Sequence, residues 1–320
     1  MKIAILDDYQ DGARTLNCFA RLSGHEVLVL NETISEPARL AERLAGVQAL
    51  VLIRERTKIT RELLDLLPDL QAISQTGRAG AHIDMAACNQ RGIVVLAGSG
   101  SPYAPAELTF ALILAAMRGI AHENAALRAG RWQTMLGRTV RGRTLGILGY
   151  GNIGKLVAHF GNTFGMEVVA FGREGSLQRA QADGIQTAAS QRELFAASDV
   201  ASVHLRLVPE TRGIIGAEDF AAMPSDALFV NTSRAELVAP GALAAGLAAQ
   251  RPAMAAIDVY ESEPTVSDPL IALPNVLAMP HIGYVERDSY ELYLGTAFDN
   301  LVALAAGKPT GVVNPEVLKA

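Results

Sequence analysis

Residues 144–174 read TLGILGYGNIGKLVAHFGNTFGMEVVAFGRE. Thr144–Leu148 is a short apolar run of strand type, Asn152–Phe164 is patterned as a helix, and Glu167–Phe171 is a second strand. Between the first strand and the helix, Gly149, Gly151 and Gly154 fall in G-x-G-x-x-G spacing. The first glycine permits a tight turn, the second lets the backbone approach a pyrophosphate, and the third brings the helix against the strand. Such a motif alone is a weak signal, but in strand, turn, helix, strand order it predicts a dinucleotide site. The pyrophosphate is expected at the helix amino terminus, where the amides of Asn152 and Ile153 and the helix dipole favour an anion.

The second strand runs out into Gly172 and Arg173, where an NAD enzyme places a carboxylate for the ribose hydroxyl. A carboxylate there repels a 2′-phosphate, whereas a guanidinium holds one through two parallel hydrogen bonds. NADP(H) is therefore favoured. NAD(H) stays usable if Glu174 turns inward to the ribose.

Downstream of this unit, strands are expected at Val200–Val203, Ala227–Asn231, Met254–Asp258 and Val276–Ala278. Upstream, strands at Lys2–Leu6, Glu26–Leu30, Ala49–Ile53, Gln71–Ser74 and Ile93–Leu96 alternate with helical stretches such as Pro37–Leu44 and Thr60–Leu67. Strands that are apolar throughout and alternate with helices argue for parallel sheets covered on both faces. A Gly, Ser and Pro-rich loop, Ala97–Pro105, marks the first boundary and leads into a helix through Arg118. After His281 no strand signal returns, and Arg287–Ala306 reads as one helix that must pack back on existing layers.

A length of 320 residues exceeds one ordinary core and suits two domains. With 50% hydrophobic and 19% charged residues, a disordered chain is excluded. The balance of 28 basic against 33 acidic residues, with no run of five like charges, leaves no electrostatic footprint for nucleic acid or a membrane surface. Two distant cysteines, Cys18 and Cys88, exclude a disulfide framework, and no apolar run approaches the length of a membrane span. The expectation is a cytoplasmic protein. The six histidines show no paired helical spacing, so no metal is expected.

Three later segments, FVNTSRAELV, AAIDVYESEP and VLAMPHIGY, end strands on the side where a doubly wound sheet binds its ligand. They offer Arg234, Glu263 and His281. Taken singly these residues could be a cap, a solvated carboxylate and a core histidine. Together with the glycine motif they resemble the D-isomer-specific 2-hydroxyacid dehydrogenase family. The resemblance covers nearly the whole chain, including AELTFALILAAMR at 106–118, GRW at 130–132, SDVASVHLRLVPETRG at 198–213 and AGKPTGVVNP at 306–315.

That resemblance implies an α/β architecture of two doubly wound parallel-sheet domains. A Rossmann NAD(P)-binding domain, residues 102–283, is inserted into a flavodoxin-like substrate domain built from 1–101 and 284–320. It also implies hydride transfer between NAD(P)H and a small 2-oxo acid of the glyoxylate or hydroxypyruvate kind, or the matching D-2-hydroxy acid. Arg234 takes the substrate-binding arginine position, Glu263 the second glutamate of D-V-Y-E-x-E-P, and His281 the proton donor; Asp258 orients the nicotinamide carboxamide, and Thr232 joins the cofactor set. A glutamate on one ring nitrogen favours the imidazolium that donates from the other. Arginine suits the carboxylate because its planar fork is always charged. A homodimer through the cofactor domains is implied, with Ala106–Met117 and the loop through Trp132 as the contact.

The chain also departs from the family pattern. In the substrate loop ISQTGRAGAHID at 73–84, Gly77 matches, but Gln75 stands where Arg or Lys is common and Ala79 where a second glycine is usual. Arg78, or Arg54 in LIRERT, can restore the missing charge, which gives Arg54, Gly77, Arg78 and Arg234 as the substrate set. Arg206, beside His204 in HLRL, replaces a frequent proline and adds a cation near the expected adenine edge. The alternatives are phosphoglycerate dehydrogenase proper, a formate-type enzyme, against which Glu263 speaks because glutamine partners the histidine there, and a corepressor-like cofactor-sensing protein.

Overall fold

The computed structural model describes residues 1–319, which divide into two compact units: Met1–Ser101 with the segment from Val285 onward, and Pro102–Tyr284. The first unit contains β1 (Lys2–Leu6), β2 (Glu26–Val29), α1 (Pro37–Arg43), β3 (Ala49–Leu52), α2 (Arg61–Asp65), β4 (Ala72–Gln75), α3 (Met85–Gln90) and β5 (Val94–Ala97). The second contains α4 (Tyr103–Arg118), α5 (Ile120–Arg128), β6 (Thr144–Leu148), α6 (Asn152–Thr163), β7 (Glu167–Phe171), α7 (Glu174–Ala182), β8 (Gln186–Thr187), α8 (Gln191–Ala197), β9 (Val200–Val203), α9 (Ala217–Ala222), β10 (Leu228–Asn231), α10 (Ala242–Ala248), β11 (Met254–Ile257) and β12 (Val276–Ala278). The chain then returns to the first unit with α11 (Arg287–Ala305).

All strand pairs are parallel. The first sheet runs β2-β1-β3-β4-β5, the flavodoxin-like order. The second runs β12-β11-β10-β9-β6-β7-β8. Read from β8, its strands stand third, second, first, fourth, fifth, sixth and seventh in the unit's own chain order, the Rossmann arrangement with one added strand. Its order reverses between β6 and β9, so the loops after these two strands flank the crevice where a doubly wound sheet binds ligand.

The apolar runs explain the layers. Every residue of β3, β9 and β10 is buried, as a parallel sheet covered on both faces demands. On one face of the second sheet Phe110, Ile113 and Met117 of α4 pack with Val157 and Ala158 of α6. On the other, Phe195, Phe220 and Phe229 interlock, the last two edge to face at 5.0 Å. In the first unit Leu40, Leu44, Leu63, Leu64 and Cys88 cover one face. The helix α11 packs on β3, β4 and β5, burying Leu294, Phe298 and Leu301.

Several local features go beyond the sequence reading. Gly119 takes a left-handed conformation (φ +61°) that ends α4, and α5 leaves at a 59° bend. Between β1 and β2 the chain makes short 3-10 turns at Ala13–Thr15 and Asn17–Leu22. The two-residue edge strand β8 is too short to carry a pattern. Both cysteines are buried thiols, and among the described residues no single helix is long and apolar enough to cross a membrane.

Candidate active site

The glycine loop lies between β6 and α6. Gly149 has φ +100°, and a Cβ on it would stand 2.7 Å from the His204 carbonyl at the end of β9. A Cβ on Gly154 would strike the carbonyl oxygen of Gly149. Over Gly151, by contrast, nothing lies within 4 Å, so an incoming phosphate meets bare backbone there. The first intrahelical bond of α6 is Lys155 N to Gly151 O, which leaves the preceding amides of Asn152 and Ile153 for an anion. These residues fit a dinucleotide pyrophosphate.

Sequence reasoning missed what holds this loop. Ser176 Oγ accepts from Tyr150 N at 2.8 Å, Arg179 Nη2 donates to Tyr150 O at 3.3 Å, and Tyr150 Oη donates to Asp183 at 3.0 Å. Lys155 pairs with Asp183 at 2.9 Å. Burial, then Asp183, pushes the Tyr150 phenol up to about 12, so it stays a donor. Positions 176 and 179 of α7 and 183 at its C-cap follow helical spacing, which is the signal that could have found them.

At the end of β7, a Cβ on Gly172 would approach Ser176 Oγ to 3.1 Å. Arg173 is exposed at the N-cap of α7 and makes no side-chain capping bond. Glu174 is exposed, and its carboxylate accepts from Gln178. The His204 ring turns to Ser202 Oγ (2.9 Å), its Nδ1 enclosed without a partner. Burial pushes it down to about 3, so the ring is neutral. Arg206 is exposed in the following loop.

The reactive residues come from loops after β10, β11 and β12. His281 Nδ1 lies 2.5 Å from Glu263 Oε2, while Glu263 Oε1 accepts from Tyr260 N at 2.9 Å. Burial pushes the Glu263 carboxyl up, but the His281 hydrogen bond and charge, the Tyr260 amide and the Arg234 guanidinium together bring it below its ordinary value. The carboxylate is thus fixed on Nδ1, which leaves Nε2 for a substrate oxygen. Tyr284 meets the His281 ring edge to face at 5.5 Å. His281 itself has φ +53°. Asp258, fully buried, accepts from Ile282 N and Gly283 N at 2.8 Å each and so anchors the turn that carries the histidine. Burial, opposed by those amides and by His281, pushes the Asp258 carboxyl up to about 6.

Arg234 is half-buried, with Nη1 donating to Ser233 O at 2.7 Å, and its carbonyl accepts from Asn231. Thr109 donates to Pro105 O, so the 2.7 Å contact between Thr109 and Thr232 has Thr232 as donor. The second unit therefore brings together Arg234, Glu263, His281 and Asp258 and carries the glycine loop.

In the first unit, Gly77 (φ +78°) follows β4, and a Cβ on it would strike Arg54 Nη1. The Arg54 guanidinium lies 5.8 Å from the ring centroid of Tyr293. Arg78 is exposed. Gln75 and His82, which sequence reasoning did not place in the site, form a 3.0 Å pair beneath the loop. Arg56 donates to Asp7 O and stands 4.5 Å over Tyr9.

A Rossmann sheet with a glycine cradle and a carboxylate-held histidine defines an NAD(P)-dependent oxidoreductase. A family model for the D-isomer specific 2-hydroxyacid dehydrogenase NAD binding domain matches residues 110–283. The glyoxylate reductase of Aeropyrum pernix is 37% identical over 300 residues, covering 90% of this chain and 87% of that protein. The crystal structure of an oxidoreductase from Ralstonia solanacearum is 52% identical, with coverage of 99% and 98% and a TM-score of 0.97. That of a phosphoglycerate oxidoreductase from Vibrio cholerae is 53% identical, with coverage of 96% and 99% and a TM-score of 0.93. The chain belongs to the D-isomer-specific 2-hydroxyacid dehydrogenase family, and its cofactor is a nicotinamide dinucleotide.

Proposed function

We propose that this protein reduces a small 2-oxo acid of the glyoxylate or hydroxypyruvate kind to the D-2-hydroxy acid, preferring NADPH. The observation that carries the reading is the 2.5 Å pairing of His281 with Glu263 in the unit that holds the glycine cradle. When bound, the dinucleotide supplies the hydride. As charge grows on the substrate oxygen, His281 donates its Nε2 proton there, and Glu263 on Nδ1 keeps the ring oriented and favours its charged form. Arg234 holds the substrate carboxylate through its fork of donors. Asp258 fixes the turn that carries His281, and the family resemblance gives it the carboxamide.

The NADPH preference rests on Arg173, exposed at the head of α7, on a glycine at 172, and on Glu174 engaged with Gln178. Residues 102–283 serve the cofactor, and 1–101 with 284–320 the substrate, through Arg54, Gly77 and Arg78. A homodimer through the cofactor units is supported by apolar side chains left open on and after α5, with Trp132 at 76% and Leu136 at 96% exposure.

Oxidation of NADPH and NADH, followed separately by absorbance with a panel of 2-oxo acids, tests the reading. Faster turnover with NADPH and glyoxylate or hydroxypyruvate is expected. Failure of every 2-oxo acid with both cofactors would overturn it.

A further inference from the structure

The position where the family commonly carries a cation is filled by Gln75, the last residue of β4, and it is 1% exposed. Its amide nitrogen donates to Arg54 O (2.9 Å) and Thr76 O (3.0 Å), which uses both hydrogens. Its oxygen must then accept from His82 Nε2, 3.0 Å away. This fixes the His82 proton on Nε2 and leaves Nδ1 as an enclosed acceptor without a partner. Burial, with Arg54 nearby, holds the His82 ring below its ordinary value despite Glu55, so the ring is neutral.

Arg54 has φ +57°, a left-handed conformation that a bulky side chain rarely takes. Both of its backbone groups are caught by the end of β4: its carbonyl by Gln75, and its amide by Thr76 Oγ1 at 2.8 Å. Strain of this kind persists where neighbours over-determine it. The conformation sends the Arg54 side chain across Gly77, and Tyr293 lies beside the guanidinium.

We propose that Gln75 and His82 are positioning residues, a neutral clamp that aims Arg54 over the Gly77 loop. The proposal rests on the reading that this loop binds the substrate carboxylate. Of the three arginines at this edge, Arg56 is drawn to Asp7 and Tyr9, Arg78 is exposed, and Arg54 is laid over the loop. The clamp therefore acts on the one arginine of the three that lies over the loop.

The test compares Arg54→Ala, Arg78→Ala, Gln75→Leu and His82→Phe with the parent enzyme in steady-state assays with NADPH. The substrate is hydroxypyruvate. For Gln75→Leu we expect KM for hydroxypyruvate to rise about 10-fold, the upper end for losing the neutral hydrogen bond that holds Arg54, with kcat and the NADPH KM within about twofold. His82→Phe, which keeps a ring but loses the donor, should shift KM in the same direction by about threefold.

A rise in KM for Arg54→Ala with none for Gln75→Leu or His82→Phe overturns the clamp and leaves the loop reading standing. Unchanged KM in both arginine variants overturns the loop reading itself. If Gln75→Leu does not fold, His82→Phe decides, and a lowered melting temperature with unchanged KM would mark a purely structural role.

Discussion

Asp258 offers a quantitative test of the site's electrostatics. Its carboxyl is fully buried and sits at about 6 instead of the ordinary 3.8, with burial as the largest cause. A carboxyl raised on folding prefers to fold protonated, so the native state is penalised as pH rises. The penalty begins near the unfolded value of 3.8, grows to pH 6, and is complete above it. The full span is worth about 3 kcal/mol, of which about 2 kcal/mol falls between pH 4.5 and 7.5. Asp258→Asn removes this dependence but offers one oxygen to two backbone amides, which leaves one buried N–H unmet at about 1–3 kcal/mol.

Urea unfolding of the apoprotein and of Asp258→Asn, followed by circular dichroism, should show the variant less stable at pH 4.5. The gap should close by about 2 kcal/mol by pH 7.5. Glu263, lowered on folding, acts in the opposite sense: its contribution is present above its unfolded value and fades as pH falls. It is common to both proteins, so only its charge coupling to Asp258 enters the difference. A difference that stays flat across this range, or widens with pH, would refute the assignment of a buried, ionising Asp258.

Three further outcomes are expected. His281→Ala should lower kcat by about 100-fold or more, the scale of a lost general acid, with NADPH affinity nearly unchanged in a fluorescence titration. Arg173→Ala should weaken NADPH about 10-fold or more, the worth of a hydrogen bond to a charged group, and spare NADH; because the side chain is exposed, the difference should shrink at high salt. If both affinities fall together, Arg173 acts structurally. Gly154→Ala puts a methyl group against the Gly149 carbonyl, so both cofactors should lose affinity alike, and unchanged binding of either would show that the helix can retreat.

Much of the fold was legible because parallel sheets leave a strong trace: fully apolar strands such as β3 and β10, separated by helices and punctuated by glycine. The two-residue β8 and the 3-10 turns after β1 carry too few residues for any period to show. In the site, Arg234, Glu263 and His281 stood out because each directly follows a strand in a chemically specific segment. Ser176, Asp183 and His82 did not, since their partners are set by how α7 and the residue 73–84 loop fold back on their sheets. Gln75 was visible as a departure, but local sequence could not show that its amide would be spent on Arg54 and His82 and so hidden from a ligand.

The same device recurs in both sheets. Arg54 follows β3, His281 follows β12, and both take left-handed backbone conformations without being glycine. In each case a buried polar residue at or just past the carboxyl end of the neighbouring parallel strand catches the backbone: Gln75 on β4 holds Arg54 itself, and Asp258 after β11 holds the two residues that follow His281. A parallel sheet ends in a row of adjacent loops at one edge, so a side chain there can reach the next loop without crossing the core. An apolar strand that finishes in a buried Gln or Asp forfeits hydrophobic burial at that position. That loss is offset only if its polar atoms are fully used, and here they are used on backbone that would otherwise relax. The strand-final polar residue, more than the arginine or histidine it serves, is therefore the feature that tells a held functional loop from an ordinary one.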